Sequence, residues 1–99
     1  MEVIIKPSHQ KGKKFDAVIN GTKTISFGAK GNSDFTMHND VARKARYLKR
    51  HEKNESWNDP QTAGFYATHA LWNKPTLKES IADINRKFPQ VKVRLARNS

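Results

Sequence analysis

Alternation between apolar and polar residues predicts β-strands in the first third of the chain. Val3-Ile4-Ile5 is a β-prone run that ends near Pro7. Residues 15–19 and 22–27 are two further β-prone runs, and Asn20-Gly21 lies between them. Asn-Gly in this position is a strong hairpin signal, because both central residues of a type I′ turn need positive φ. We therefore predict a first strand followed by a β-hairpin.

The next periodic segment predicts an amphipathic helix over residues 41–53. Asn39 or Asp40 can cap its start, after a glycine-containing segment, residues 28–38, that we expect to be a loop. At helical spacing, Val41, Ala45 and Leu48 share one face. The opposite face is a stripe of basic residues with one tyrosine among them: Arg43, Arg46, Tyr47, Arg50 and Lys53.

Two further helices and a last strand complete the pattern. Asp59 is a candidate N-cap, with Pro60 as first residue, for a helix over residues 61–72. Thr76-Leu77-Lys78-Glu79 matches a capping box, in which the Thr and Glu side chains bond backbone amides reciprocally. It precedes a helix over residues 77–88, which Pro89 ends. Apolar and basic residues then alternate over 91–95, which predicts the last strand.

The element order β-β-β-α-α-α-β predicts one α+β domain over residues 1–99. A chain of 99 residues has room for a single domain. We expect a small antiparallel sheet, made of the N-terminal strand, the Asn-Gly hairpin and the C-terminal strand, packed against three short helices. The last strand could lie beside the first, and the pattern leaves open which edge it takes.

The distribution of charge along the chain indicates a polyanionic partner. Nineteen Lys and Arg residues against nine Asp and Glu give a formal net charge of +10. The excess lies near both ends of the chain and in residues 40–53, whereas residues 54–85 are slightly acidic. Arginines spaced three and four apart can bind phosphates bidentately, and Tyr47 could stack on a base or pack against a sugar. The alternative is a solvated helix face. The predicted nucleic-acid contacts are Arg43, Arg46, Tyr47, Arg50 and Lys53, assisted by Lys13, Lys14 and Arg94.

Residues that could support other chemistry are scattered. The four histidines lack a paired metal-ligand spacing, there is no cysteine, and the carboxylates suggest no acid–base pair. Gly28-Ala29-Lys30-Gly31-Asn32 lacks the Gly-Lys-Ser/Thr ending of a phosphate-binding loop. It is more typical of a flexible turn, although it could offer backbone amides to one phosphate. We predict no catalytic residue, metal, cofactor, small-molecule substrate or membrane partner, and thus no enzyme.

Trp57 and Trp72 are expected to hold loops on the core, with each indole N–H bonded to a carbonyl.

Five ordered motifs resemble a known family. They are Ser26-Phe27-Gly28-Ala29, Ser33-Asp34-Phe35-Thr36, the basic run from Arg43 to His51, Thr62-Ala63-Gly64-Phe65 and Leu71-Trp72-Asn73-Lys74-Pro75-Thr76. Over residues 15–88 the chain resembles short basic proteins encoded by large DNA viruses of algae and protists, and by related environmental viruses. The resemblance implies a viral origin and a location inside the infected host cell, with packaging in the virion as a further expectation. It implies no activity and no site residues.

The charge pattern and the resemblance together leave three hypotheses. The first is a virus-encoded protein that binds DNA or RNA through largely sequence-independent contacts to the phosphate backbone. The second is a minor structural component of the virion, or another protein-interaction module, whose basic surface meets an acidic viral or host protein. The third is an inhibitor of a host enzyme.

Overall fold

A computed structural model of the chain describes residues 1–52 and 57–96. The strands are β1 (Glu2–Pro7), β2 (Lys13–Ile19), β3 (Lys23–Ala29) and β4 (Lys92–Leu95). The helices are α1 (Phe35–His38), α2 (Val41–His51), α3 (Ala63–Tyr66) and α4 (Leu77–Lys87), and a π-helical turn, Ala67–Leu71, follows α3. The predicted α+β class is confirmed. The end of the helix predicted over 41–53, including Lys53, lies outside the described residues.

The described strands form one sheet in the order β3-β2-β1-β4. Asn20 and Gly21 both have positive φ, at 51° and 72°, and they join β2 to β3 as the predicted hairpin. The last strand does lie beside the first, but the two are parallel, so the prediction of a purely antiparallel sheet was wrong. The reason is where α4 ends. The chain leaves it next to the start of β1, where the Lys92 N–H donates to the Met1 carbonyl at 2.8 Å.

The core lies between one face of the sheet and the helical segments. Alternating strand residues point into it, as expected for a sheet covered on one side. From the strands come Val3, Ile5, Ala17, Ile19, Phe27 and Val93. From the helical side come Phe65, Tyr66, Ala70, Leu71, Ile81 and Ile84. This core anchors β3 and the π-helical turn against each other, and the loop after β3 leaves from that point.

The segment predicted to be a loop, residues 28–38, contains the short helix α1. Asp34 caps it by accepting a hydrogen bond from the Thr36 N–H at 3.0 Å. Asn39 ends it in the left-handed conformation, with φ at 52°. A helix of four residues is too short to show a hydrophobic period, so only its caps could have indicated it.

The helix predicted over 61–72 begins later and changes its winding. Thr62, rather than Asp59, is the N-cap, since its hydroxyl accepts from the Phe65 N–H at 3.2 Å. Asp59 holds the preceding turn by accepting from the Gln61 N–H, so Pro60 lies outside the helix. After Tyr66 the backbone widens, and the Trp72 N–H bonds the Ala67 carbonyl five residues back. The extra residue in this turn redirects the side chains that follow it.

Helix α4 fits the prediction and also protects the edge of the sheet. Thr76 caps it, with the Glu79 N–H donating to the Thr76 hydroxyl oxygen at 3.1 Å. The Glu79 carboxylate accepts from that hydroxyl and not from a backbone amide, so the capping box is only half formed. Asn85 bonds both the N–H and the carbonyl of Val93, at 2.7 and 2.9 Å. These bonds cover part of the outer edge of β4.

Candidate functional site

Helix α2 carries the predicted basic stripe, but it is attached to the fold in an unexpected way. None of the residues 41–51 is fully buried, and Val41, which we expected to face the core, is 71% exposed. The predicted apolar face of Val41, Ala45 and Leu48 therefore does not enter the core. These three side chains offer too little apolar surface to hold the helix by burial. Lys44 and a stack of aromatic rings on Tyr47 hold it instead.

Lys44 fastens α2 to the segment that precedes α4. Its ammonium group donates to the Asn73 carbonyl at 2.6 Å and lies 5.0 Å from the centre of the Phe35 ring. Burial, together with the positive charges of Lys74 and Lys87, lowers the pKa of Lys44. Asn39, just before α2, adds a bond from its side-chain amide to the Pro75 carbonyl at 3.2 Å.

Tyr47 fastens the same helix through aromatic stacking. Its ring lies parallel to Trp72, with ring centres 4.2 Å apart and planes 4° apart. His51 stacks on Tyr47 at the same centroid distance, with 27° between the planes. Both faces of the Tyr47 ring are therefore covered within the protein, and the stacking of a base on this ring, which the sequence suggested, has no open face to use.

A cleft of about 640 Å³ separates α2 from the loop that follows β3. One wall is the end of β3 together with that loop, residues 28–34, and the other is the arginine side of α2. We call this feature the arginine cleft. Its loop wall consists of Gly28, Ala29, Gly31, Asn32, Ser33 and Asp34. Its helix wall consists of Arg43, Arg46, Arg50 and His51. The remaining lining residues are Lys14, Tyr47, Ala67, Leu71 and Trp72.

The loop wall runs close over the π-helical turn. Gly28 has a φ of +78°, and a Cβ placed there would lie 2.8 Å from Leu71 Cδ1, closer than real atoms approach. The positive φ therefore favours glycine at this position, and the backbone passes close to Leu71. The contact sets the loop against the floor of the cleft and keeps it opposite α2.

The electrostatics of the cleft are positive. Asp34 is the carboxylate in its lining, and this residue is only 3% exposed. Its carboxylate pairs with Lys14 Nζ at 2.6 Å and accepts from the Thr36 N–H and hydroxyl. Lys14 and Asp34 thus neutralise each other. Among the described residues, no carboxylate pairs with the exposed guanidinium groups of the helix wall, which belong to Arg43, Arg46 and Arg50.

The structure brings together some of the predicted contact residues and separates others. Arg43, Arg46, Tyr47, Arg50 and Lys14 all line the arginine cleft. Lys13 lies in β2 opposite Ala29, outside the cleft lining. Arg94 lies in β4, at the other edge of the sheet, beside a shallower depression that Glu2 and Lys92 also line. Lys53 lies outside the described residues.

Sequence reasoning missed the floor of the cleft and the role of Lys44. Trp72 and Leu71 enter the site because the π-helical turn orients them towards α2, and no sequence period indicates such a turn.

Trp57 is also held differently from the expectation. Its indole N–H is buried without a partner in the described part of the chain, and its carbonyl oxygen instead bonds His69 Nε2 at 2.7 Å. Burial lowers the pKa of His69, which favours the neutral ring in this contact.

Residues 1–52 and 57–96 contain neither a group of metal-ligating side chains nor a membrane-spanning helix. No three His, Asp or Glu residues in these ranges are grouped so that they could hold a metal ion. No helix within the same ranges is long and apolar enough to cross a membrane.

Comparison with known proteins gives one similarity. Residues 3–51 match the sequence model of a family of unknown function (DUF5754), which is just under half of the chain. The matched part runs from β1 to the end of α2 and therefore contains both walls of the arginine cleft. Ala67, Leu71 and Trp72, on its floor, lie beyond it. No curated protein and no solved structure matches the chain significantly.

Proposed function

We propose that the protein binds nucleic acid through the arginine cleft, with contacts made mainly to phosphates. The observation that supports this proposal is the row of three exposed guanidinium groups on one wall, next to a carboxylate that Lys14 already neutralises. Guanidinium groups bind phosphate oxygens through two parallel hydrogen bonds, so this wall offers several such bonds to an anionic chain. Contacts of this kind do not distinguish bases.

The spacing of the arginines suits a chain of phosphates better than a single anion. An α-helix rises 1.5 Å per residue, so Arg43 and Arg50 are separated by about 10 Å along α2. The row of guanidinium groups can therefore contact neighbouring phosphates of one strand. The net charge of +10 would add long-range attraction and accelerate the encounter.

The viral origin and the place in a virion stay predictions from the family resemblance, and the inhibition of a host enzyme stays a separate prediction. An acidic protein could use the same positive charges, and it is the competing partner in the experiment below. A phosphate chain is favoured because the arginines line a concave cleft, whereas a protein surface would need a broad, open patch to contact.

Binding across a range of salt concentrations tests the proposal. Labelled DNA and RNA of mixed sequence should bind at about 50 mM salt, and the affinity should fall steeply towards physiological salt. The triple variant Arg43→Ala, Arg46→Ala and Arg50→Ala should reduce the slope of log K against log salt by about 2–3, since each lost phosphate contact removes about 0.7–0.9. Circular dichroism checks that the variant is folded.

A matched control removes the same charge elsewhere. Lys11, Lys78 and Lys92 are exposed and lie outside the cleft lining, so their triple alanine variant should keep most of the salt slope. Equal losses in the two triple variants would contradict binding at the cleft. If neither polymer binds the native protein at about 50 mM salt, nucleic-acid binding is wrong and an acidic protein becomes the candidate partner.

A further inference from the structure

We infer that the arginine cleft accepts a single nucleic-acid strand in preference to a duplex. This inference rests on the proposed function and concerns the form of the nucleic acid. Three features of the cleft support it: the element that faces the arginines, the bonds that hold this element, and the dimensions of the space between them.

The arginine side of α2 is not an open helix face. A helix that binds duplex DNA lies in the major groove, which is about 12 Å wide and is filled by one helix of about 10–12 Å diameter. In this protein, the loop wall stands opposite the same arginines and lines the same cleft. A duplex could take this side of α2 into its groove only if the loop moved away.

The loop wall is held in place from several directions. The Lys14–Asp34 ion pair at 2.6 Å binds its end to β2. The Lys30 N–H donates to the Gly12 carbonyl at 3.0 Å, which ties the middle of the loop to the turn before β2. At its start, Gly28 packs against Leu71. Moving the loop aside would break these contacts, so the cleft is a lasting feature of the fold.

The dimensions and lining of the cleft suit one strand. A volume of about 640 Å³ lies within the range of roughly 300–1,000 Å³ found for sites of small organic ligands. It therefore has room for nucleotides of one strand. Leu71 and the rings of Tyr47 and Trp72 provide an apolar floor for sugars or base edges. Because both faces of Tyr47 are covered, this floor makes contact without offering a base-stacking site.

Asn32 offers a substitution that tests occupation of the cleft. It is exposed on the loop wall opposite the arginines. Asn32→Asp keeps the size of the side chain and adds a negative charge there, which should repel a phosphate chain and compete for the arginines. Asn58→Asp makes the identical chemical change at an exposed position outside the cleft lining. The two variants have the same net charge.

The experiment compares a labelled single strand of about 12 nucleotides with the same strand annealed to its complement. Affinities are measured at about 50 mM salt by fluorescence anisotropy. We expect the single strand to bind several-fold more tightly than the duplex. We also expect Asn32→Asp to weaken single-strand binding several-fold and Asn58→Asp to leave it within about twofold, a difference that whole-molecule charge cannot produce.

The outcomes separate the inference from the proposed function. If the duplex binds as tightly as the single strand, or if the two Asn→Asp variants behave alike, the inference is wrong while nucleic-acid binding stands. If neither form of the nucleic acid binds, the proposed function fails and the inference fails with it.

Discussion

Asp83 shows how a single buried carboxylate outside the cleft supports the cleft. It accepts a hydrogen bond from the Asn73 side chain at 2.8 Å and pairs with Arg86 and Lys87 one turn further along α4. Burial alone would raise the pKa of Asp83, but the hydrogen bonds from Asn73, Arg86 and Lys87 outweigh it and hold the pKa far below its usual value. The backbone of Asn73 also bonds Lys44 of α2, so Asp83 helps to position that helix.

Replacing Asp83 by Asn should destabilise the protein at neutral pH. We expect the free energy of unfolding to fall by about 1–2 kcal/mol, at or below the lower end of the range for hydrogen bonds to charged groups, because Arg86 and Lys87 are at least half exposed. A carboxyl group whose pKa is lowered by folding stabilises the folded state above its unfolded pKa of about 3.9, and that contribution is lost as the pH falls further. Urea unfolding at neutral and acidic pH measures both effects.

Glu79→Gln is a suitable control, since Glu79 is an exposed carboxylate on the same helix. Its effect at neutral pH should be smaller than that of the Asp83 variant. The difference in stability between the native protein and Asp83→Asn should shrink below about pH 4. A difference that stays constant down to pH 2 would show that the carboxylate charge contributes nothing.

Sequence reasoning could have found some contacts of single residues and not others. Asp83, Arg86 and Lys87 are three and four apart on one helix, a spacing that predicts ion pairs. The pairing of Lys14 with Asp34 and the stacking of Tyr47 on Trp72 join residues 20 and 25 positions apart. Such contacts depend on how whole elements pack, and the charge or shape of one residue does not reveal them.

At the scale of elements, α2 is the least anchored helix of substantial length in the described structure. It has no fully buried residue, whereas α4 buries four. Its start is held by Asp40, whose carboxylate accepts from the N–H groups of Ala42 and Arg43 at 3.0 and 3.2 Å. The bond from the Arg43 N–H lowers the pKa of Asp40. Helices with few buried contacts open locally before the rest of the fold unfolds.

We therefore expect the amide hydrogens of α2 to exchange faster than those of α4. Asp40→Ala removes the N-cap and should accelerate exchange in α2 several-fold while leaving α4 unchanged. Hydrogen exchange followed by mass spectrometry of peptides resolves the two helices.

The matched control is Thr76→Ala, which removes the N-cap of α4. Because α4 contributes Ile81 and Ile84 to the core, this substitution should lower global stability and affect many regions together. Similar patterns of exchange in the two variants would mean that α2 does not open independently.

The predicted elements divide into those that local chemistry determines and those that packing determines. The Asn20-Gly21 hairpin and the cap at Thr76 follow from the conformations and hydrogen bonds of the residues themselves. The direction of β4 depends on where α4 returns the chain, which no local pattern indicates. The π-helical turn depends on packing against β3 and α4, and its residues form an ordinary helical pattern in the sequence.

At the scale of the whole molecule, the positive charge is distributed over several surfaces, but the described structure concentrates part of it in one concave place. Arg94 and Lys92 lie at the β4 edge, and the arginine cleft lies beyond the opposite edge strand, β3. The charge of the sequence predicted a polyanionic partner. The cleft itself could not be predicted, because it is assembled from Lys14 and three separate segments, residues 28–34, 43–51 and 67–72.

The cover that Asn85 gives to β4 has a consequence for chemical ageing. Side-chain amides of asparagine hydrolyse slowly to carboxylates, and a carboxylate at Asn85 would place a negative oxygen where an N–H group now donates to the Val93 carbonyl. The uncovered strand edge could then pair with a second copy of the chain. Asn85→Asp should mimic the aged protein and form dimers or larger species in size-exclusion chromatography at high concentration, whereas Asn58→Asp should remain as the native protein. A fully monomeric Asn85→Asp variant would contradict this. If it holds, this one amide group helps to keep the edge of the sheet from associating.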